Sequence, residues 1–532
     1  MKPNRIFLLL FLLALLAGCA EPTQLPPTST RVPPTETIVP TKTSIPTATF
    51  TPTATPYPPL STKGPYWAYL ESQDTIAFLD ANGIGRKEIL LPEHISGQTY
   101  DSLNNLSPDG KWLSYYTGKP DAYNIFSSIV IPSDGPYNLA LNLYNLETKE
   151  SKLVTPLLSK DFPNNFQKQL DIFKKTGMPP ELQHLPDDYH LSTLYGTFLR
   201  GITSFSWSPD GHYLAFAGQM NGFSSDLYVY DVKSQTIRQI SSELEEIQWI
   251  SWSPNGKDIL YGSTYEAAMG MKCKTYVADL DGQSARYLSE GMRCYSPDDW
   301  LDDFTFLENE KENGTGNFHL HSVNTQTGKI TMYWEGSFGS YAVDAKNKLI
   351  LVNVNSDAYP LPTSGFRPGL YLIDITNGNQ IRLLDNDYGD YWDFEFFGIG
   401  ERRFIVHNAP SGAQFVAMDG TFIPMDDDYS SAFLAPNQHY WARIADKIFI
   451  FTADDMLIRE IDFPKTIVTT SDVKFVTWSP DSSGFYFQYL KPGMGYGPLY
   501  FVNLLSGDPI LVDKASFLWR WIPLLKWIPA QP

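Results

Sequence analysis

The sequence predicts an all-β fold: a single β-propeller of about eight four-stranded blades, with seven to nine allowed, closed by its N- and C-terminal strands and preceded by a disordered linker. Three observations predict it. A Ser-Pro-Asp-Gly turn recurs about every 45 residues, strands of alternating apolar and small residues follow it, and incomplete copies at the two ends would combine into one blade. Four strands per repeat of this length are typical of propeller blades.

The first 19 residues have the pattern of a bacterial lipoprotein signal. Lys2 and Arg5 precede an apolar run, Ile6 to Leu16, that is too short to span a bilayer. The run ends in Leu-Ala-Gly-Cys, which resembles the lipobox. The resemblance implies that residues 1–19 are the signal peptide and that Cys19 becomes the lipidated first residue of the mature chain. An ordinary secretory signal that contains a cysteine by chance is the alternative.

Residues 20–64 are predicted to form a disordered linker rich in Pro and Thr. From Glu21 to Pro59 the chain has little to bury and a backbone that favours polyproline II. About 40 residues at roughly 3.1 Å each would hold a folded domain some 120 Å from the lipid surface. Thr and Ser among prolines are also typical of O-glycosylated stalks, and a plain flexible spacer is the alternative.

The composition argues against nucleic acid as a partner. The full chain carries a formal net charge of −19, and an acidic chain repels nucleic acid and anionic lipid headgroups. No later segment approaches the roughly 18 uninterrupted apolar residues of a membrane span. We therefore expect an extracytoplasmic protein of the bacterial cell envelope, held at the membrane by its lipid anchor only.

The cysteines after the lipobox are Cys273 and Cys294. In an oxidising exterior two thiols at this spacing can form a disulfide. Two buried free thiols are the alternative.

Each strong copy of the turn has the same mechanical logic. Pro presets φ, the side chain of Asp or Asn caps the turn, and Gly accepts a positive φ, so that one strand folds tightly back on the next. An aromatic residue precedes most copies and packs inside the blades. The residues of this motif are Pro108, Asp109, Gly110, Trp207, Pro209, Asp210, Gly211, Trp252, Pro254, Asn255, Gly256, Trp478, Pro480 and Asp481.

The Trp-Ser-Pro-Asp-Gly turn, followed by Leu-Tyr-Val-Tyr-Asp in the third strand, resembles the repeats of TolB-type, WD-repeat-like propeller proteins. The resemblance covers roughly residues 65–528 and implies a β-propeller. Similar repeats precede the catalytic domain of prolyl-oligopeptidase-like enzymes, but the sequence has no Gly-x-Ser-x-Gly nucleophile elbow and no βα alternation after the last repeat. Because many activities occur on propellers, the resemblance implies fold rather than function.

The repeats give the expected number of blades. Three strands from Tyr66 to Leu91 lack a first strand, and Ser516 to Trp521 resembles a first strand without followers, so together they would close the ring and remove its open edges. A literal count is nine, but single propellers typically have up to eight blades, so we expect about eight. Complete copies begin near Ser107, Ser208, Ser253, Ser296, Val343, Phe397, Ala435 and Ser479.

Two insertions, at residues 117–138 and 156–200, interrupt the repeat. The second is predicted to contain a helix over Asn165 to Lys175. Long excursions on a rigid ring are where binding specificity tends to lie, and a helix that only caps one face is the alternative. The apolar residues on one face of this helix are Phe166, Leu170 and Phe173.

The sequence predicts no catalytic residues and no cofactor, with one weak calcium candidate. Asp385, Asp387 and Asp390 space oxygen ligands somewhat like a calcium loop but lack the glutamate at its twelfth position, and solvated turn residues are the alternative. His319 and His321 lie on one face of a predicted strand. A metal would need a third ligand from elsewhere, so packing is the favoured interpretation.

We expect a monomeric, cell-envelope-anchored lipoprotein whose non-catalytic propeller binds a protein or a cell-envelope glycan. The aromatic content is 14%. Exposed rings that stack on sugars are the argument for a glycan, but aromatics that wedge between blades are the favoured interpretation. The alternative is a propeller enzyme, a polysaccharide hydrolase or lyase acting outside the cell. Two carboxylates about 5 to 10 Å apart in an aromatic-lined central pocket would favour the enzyme.

Overall fold

The computed structural model describes most of residues 58–530, and everything below refers to that part of the chain. The segments outside the description are 1–57, 73–74, 82, 93–104, 119–138, 163, 177–183, 203, 243, 266–272, 281–284, 292–299, 312–317, 337, 355–367, 385–393, 400, 409–411, 418–420, 424–431, 468, 470–471, 491–496, 506, 517–524 and 531–532.

The described strands form nine antiparallel sheets, seven of four strands and two of three. The predicted β-propeller is confirmed, and nine sheets lie within the predicted range of seven to nine. In the two three-stranded sheets, single bridges from Leu106 to Leu113 and from Trp300 to Phe306 stand where a first strand would lie. Apart from sheet 1, which β34 completes, consecutive strands are neighbours within each sheet, as expected for blades formed from one continuous repeat.

The first sheets in chain order have the following strands. Sheet 1 contains β1 (Tyr66–Ser72), β2 (Thr75–Asp80), β3 (Arg86–Leu90) and β34 (Leu525–Ile528). Sheet 2 contains β4 (Trp112–Thr117), β5 (Ala140–Asn145) and β6 (Ser151–Pro156). Sheet 3 contains β7 (Phe205–Trp207), β8 (Tyr213–Gly218), β9 (Asp226–Asp231) and β10 (Thr236–Gln239). Sheet 4 contains β11 (Glu246–Trp252), β12 (Asp258–Thr264), β13 (Cys273–Asp279) and β14 (Arg286–Gly291).

The remaining sheets follow in the same way. Sheet 5 contains β15 (Thr305–Lys311), β16 (Phe318–Asn324) and β17 (Ile330–Glu335). Sheet 6 contains β18 (Ser340–Asp344), β19 (Leu349–Val354), β20 (Gly369–Asp374) and β21 (Gln380–Leu384), and sheet 7 contains β22 (Phe394–Ile399), β23 (Glu401–Asn408), β24 (Gly412–Ala417) and β25 (Phe422–Ile423). Sheet 8 contains β26 (Ala432–Leu434), β27 (Tyr440–Ile444), β28 (Ile448–Thr452) and β29 (Leu457–Ile461), and sheet 9 contains β30 (Val473–Trp478), β31 (Gly484–Tyr489), β32 (Gly497–Asn503) and β33 (Ile510–Ser516).

Neighbouring sheets pack against each other because alternate residues of their strands point in opposite directions. In β1, Trp67 and Tyr69 pack in one cluster with sheet 9, whereas Ala68 packs in another with sheet 2. Shared apolar clusters of this kind also join sheets 2 and 3, 3 and 4, 4 and 5, 5 and 6, and 8 and 9. The core of the molecule therefore lies between blades rather than within any one of them.

The ring closes through a strand from the C-terminus, as predicted, but at a different place in the sequence. The closing strand is β34, in which Trp527 pairs with Trp67 of β1. The expected closing strand, Ser516 to Trp521, does not make this pairing: Ser516 is the last residue of β33, and residues 517–521 lie outside the described part of the chain. The aromatic composition of that segment resembled a first strand, whereas the pairing is made by the shorter Leu-Lys-Trp-Ile segment.

The antiparallel order gives the propeller two different faces. The turns between first and second strands and between third and fourth strands lie on one face, which we call the turn face. The connections between second and third strands and between successive sheets lie on the other, which we call the loop face. Turn-face connections are short, as between Asp231 and Thr236, whereas the loop-face connection from β6 to β7 runs from Pro156 to Phe205.

The insertion between β6 and β7 contains two helices, α1 (Asn165–Thr176) and α2 (Asp187–Gly201). The predicted helix is confirmed as α1, whereas α2 was not predicted. Within the described part of the chain, no helix combines the length and hydropathy needed to cross a membrane.

Candidate functional site

The predicted turn residues lie in tight turns on the turn face. In the copy at Ser208, the Ser208 hydroxyl donates to Asp210 Oδ1 at 2.6 Å and accepts the Tyr213 N–H at 2.9 Å. Gly211 has a φ of 72° and Gly256, in the next copy, a φ of 68°. The same contacts recur in the copies at Ser107 and Ser253. The hydrogen bonds of these residues fold the blade.

The tryptophans before these turns are structural as well. Trp207 Nε1 donates to the backbone oxygen of Asn105 at 3.0 Å, and Trp252 Nε1 donates to that of Ser206 at 3.0 Å. Each acceptor lies two residues before the turn of an earlier blade. Trp478 makes the corresponding bond, at 3.1 Å, to Phe433. The indoles therefore join neighbouring blades, a role that the sequence could indicate only through the recurrence of Trp at one position.

The described chain begins on the turn face, beside the outer strand of sheet 1. Arg86 N–H donates to the oxygen of Pro58 at 2.9 Å, and Tyr66 Oη donates to the oxygen of Ser61 at 2.6 Å. A groove of about 430 Å³ lies here between sheets 1 and 2. Its charged lining consists of Lys87, Lys111, Asp109 and Glu147. Two of these pair with each other, since Lys111 Nζ is 3.4 Å from Asp109 Oδ2.

On the loop face, the helical insertion is seated on sheets 2, 3 and 4. The predicted apolar face of α1 is buried: Phe166 and Leu170 are 0% exposed and Phe173 is 8% exposed. Phe166 packs edge-on against Tyr195 and Phe198 of α2, with ring centroids 5.7 and 5.6 Å away. The insertion thus has its own aromatic core, continuous with the cluster between sheets 2 and 3.

A buried carboxyl lies under α1. Glu246, the first residue of β11, is 0% exposed; Gln169 Nε2 of α1 donates to its Oε1 at 2.8 Å and Ser225 N–H donates to its Oε2 at 2.8 Å. Burial raises the pKa of this carboxyl to about 7, against opposing hydrogen bonds from Ser225 and Gln169. Sequence reasoning missed Glu246, because nothing in the local pattern distinguishes a buried glutamate from the exposed ones near it in the sequence.

Helix α2 meets the same sheet at close range. A Cβ on Gly201 would lie 1.5 Å from the backbone oxygen of Ile247, so only glycine fits this contact. His190, which is 0% exposed, lies with Nδ1 2.9 Å from Oη of Tyr265, the residue that follows β12. Its Nε2 has no hydrogen-bond partner among the described residues. These contacts indicate that the insertion is fixed in position on the ring.

The two histidines considered as metal ligands both lie on β16. His321 is 3% exposed, and its Nε2 is 3.2 Å from Glu308 Oε2. Thr275 Oγ1 of sheet 4 donates to the other oxygen of Glu308 at 3.3 Å, so this group is a buried polar contact between blades. Among the residues that the structure covers, no cluster of three or more His, Cys, Asp or Glu side chains could hold a metal ion.

Several predicted site residues lie outside the description: Cys19, Cys294, Asp385, Asp387 and Asp390. Cys273 begins β13 and is disulfide-bonded. Its pairing with Cys294 remains a prediction, as do the lipidation of Cys19 and the calcium candidate.

Comparison with known proteins gives distant similarities. No family model matches the chain. A 196-residue stretch is 26% identical to dipeptidyl-peptidase 5 of Porphyromonas gingivalis, covering 34% of this chain and 26% of that protein, so the chain matches about a quarter of the length of this relative.

Solved structures with similarity to the chain have low scores. They include a eukaryotic initiation factor (13% identity, 89% of this chain and 90% of that one, TM-score 0.42) and a prolyl endopeptidase (12% identity, 69% and 57%, TM-score 0.35). An oligogalacturonate lyase in complex with manganese is a further one (12% identity, 60% and 89%, TM-score 0.28). None of these similarities assigns an activity to this chain.

Proposed function

We propose that this chain is a cell-envelope lipoprotein, anchored through Cys19, whose non-catalytic propeller binds a protein or an envelope polymer at its loop face. One observation carries the proposal: the two faces of the ring are built differently. The turn face consists of repeated short turns joined to neighbouring blades, whereas the loop face carries the long connections and the helical insertion.

The position of residue 58 supports a loop-face site. A linker that joins the propeller at Pro58 arrives on the turn face, beside Arg86. The linker would then be attached away from the loop face, where it does not compete with a soluble protein or a polymer for the proposed site.

The packing of the insertion on the ring supports binding at this face. Its helices are held by buried aromatic packing and by the contact between Gln169 and Glu246. A surface that is fixed before its partner arrives loses little conformational entropy on binding. Two exposed aromatic residues of the loop face, Tyr189 of α2 at 42% and Phe223 of the connection from β8 to β9 at 36%, offer contact area of the kind found at interfaces.

The test of binding uses residues 58–532, made without lipid, on arrays of glycans and of candidate protein partners. We expect a ligand whose affinity falls at least fivefold in Tyr189→Ala or Phe223→Ala on the loop face. Lys87→Gln and Glu147→Gln are the matched turn-face variants and should leave the affinity unchanged. Loss of affinity only in the turn-face variants contradicts the proposal, and cleavage of an arrayed polysaccharide supports the enzyme alternative.

The anchor is tested separately in cells. We expect the wild-type chain to fractionate with membranes and Cys19→Ser to be released. Cys273→Ser controls for loss of a cysteine elsewhere and should remain with the membrane. Release of the wild type, or membrane retention of Cys19→Ser, contradicts the lipid anchor but leaves the binding proposal in place.

A further inference from the structure

One buried carboxyl forms hydrogen bonds between three separate segments where the helical insertion packs on the ring. Glu246 belongs to β11, Gln169 to α1, and Ser225 to the connection that precedes β9. Both oxygens of Glu246 accept hydrogen bonds at 2.8 Å, from Gln169 Nε2 and from Ser225 N–H. Ser225 Oγ in turn accepts the Ile247 N–H at 2.9 Å. A change of charge on Glu246 therefore alters hydrogen bonds to α1 and to the segments at the start of β9 and β11.

The donors to Glu246 are neutral, so no cation compensates its charge there. The titratable groups on the packed elements have partners of their own: Asp226 of β9 accepts from Gln239 Nε2 at 2.9 Å, and Glu245, just before β11, pairs with Lys274 at 2.6 Å. On α2, His190 Nδ1 lies 2.9 Å from Tyr265 Oη. On α1, Lys168 pairs with Asp161 at 3.0 Å, and Asp171 accepts from Gln167 Nε2 at 2.9 Å. An ionised carboxyl that is buried with only neutral donors is costly.

The side-chain amide of Gln169 has only part of its hydrogen-bonding capacity satisfied. Its Nε2 donates to Glu246 and to the backbone oxygen of Leu244, whereas its Oε1 is buried and has no hydrogen-bond partner among the described residues. Burial favours the neutral acid at this site, whereas the donors from Ser225 and Gln169 favour the carboxylate, and burial has the larger effect.

We propose that Glu246 makes the seating of α1 on the propeller dependent on pH, firm when its carboxyl is protonated and weaker when it is ionised. The apolar face of α1 keeps the helix in place on average at either pH. What changes is how often the helix opens locally. Because α1 covers part of the loop face, opening exposes the apolar residues beneath it.

The direction follows from the two environments of the carboxyl. Burial raises its pKa to about 7 while α1 is seated, and on opening it meets water, where the value returns to the ordinary 4.5. A raised pKa in the seated state means that the stabilisation is fully present below pH 4.5 and is lost as the pH rises through 7. The difference corresponds to about fifty-fold more opening at pH 7.5 than at pH 5.0.

Hydrogen exchange of the full chain at pH 5.0 and 7.5 tests the proposal, with rates corrected for the intrinsic effect of pH. In the wild type, we expect the protection of α1 amides to fall at least tenfold between the two values, while the protection of β8 changes little. In Glu246→Gln, which carries a neutral isostere, the protection of α1 should be the same at both. Glu245→Gln is the matched control and should behave as the wild type does.

Two outcomes overturn the proposal. One is equal protection of α1 at both pH values in the wild type, and the other is an unchanged pH dependence in Glu246→Gln. Should Glu246→Gln fail to fold, a wild-type titration decides: the protection of α1 must fall between pH 4.5 and 7.5 with that of β8 constant, and a parallel fall in both segments contradicts a local effect at Glu246.

Discussion

The turn face and the helical insertion are held to the ring by different kinds of contact. On the turn face one set of contacts is repeated around the ring, as in the bonds from Trp207 and Trp252 to preceding blades. The insertion depends on contacts that occur once, such as those between Gln169 and Glu246 and between Gly201 and Ile247. Repetition distributes stability over many equivalent positions, so that losing one is tolerated, whereas a unique contact has no substitute.

The largest expected effect is at the contact of α2 with β11. Gly201→Ala places a methyl group 1.5 Å from the Ile247 backbone oxygen, so the helix must move, and we expect a loss of more than about 4 kcal/mol in the free energy of unfolding. The control, Gly196→Ala in the same helix, has open space at its Cβ and should stabilise by up to about 1 kcal/mol. Denaturant unfolding measures both, and equal effects would contradict the described seating of α2.

The next effect concerns the apolar face of α1. Phe166 is 0% exposed, and Phe166→Ala should lower the free energy of unfolding by about 3–5 kcal/mol through lost burial and an unfilled cavity. Gln167→Ala, at the neighbouring exposed position, should change it by less than about 0.5 kcal/mol. Thermal unfolding of the two variants gives the comparison. Similar stabilities would mean that α1 is not packed on the ring.

A disulfide closing about 20 residues contributes about 3 kcal/mol, so reduction should cost that much if Cys273 pairs with Cys294. Cys273 lies where β13 begins, on the loop face. A peptide map without reductant should yield the two cysteines linked, and unfolding with and without reductant should show the difference. A Cys273 peptide with another partner contradicts the predicted pairing.

The smallest effect is expected on the turn face. Trp207→Phe removes one indole bond to Asn105, whose oxygen also accepts the Ser114 N–H, so the expected loss is about 1–2 kcal/mol. Trp112→Phe, at a half-buried position on β4, is the control and should cost less. Unfolding experiments on both variants measure the difference. A loss as large as that of Gly201→Ala would show that the repeated contacts are not interchangeable.

The repeated part of the fold was predictable from the sequence because its causes are local. A turn built from Ser208, Asp210 and Gly211 satisfies its own hydrogen bonds within six residues, so the motif alone determines where strands begin and end. The spacing of Phe166 and Leu170 likewise indicated α1. Both kinds of signal are short-range patterns of turns and helices.

The rest depends on contacts between distant segments. The closing strand was placed too early because Trp519 and Trp521 resemble a first strand, whereas register with Trp67 selects Trp527. Helix α2 gives a weak helical pattern because it contains Gly196 and Gly201, and its position is determined by packing on β11. The burial of Glu246 depends on residues more than twenty positions away, so the neighbouring sequence could not predict it.

Footprinting of a ligand complex tests the difference between the two faces most directly. Hydroxyl-radical labelling of residues 58–532, free and bound to the ligand selected on the arrays, would report which side chains become protected. The account predicts protection of α1, α2 and Phe223, with the turns at Pro108, Pro209 and Pro254 unchanged. Protection of those turns, with the insertion still fully labelled, would contradict it.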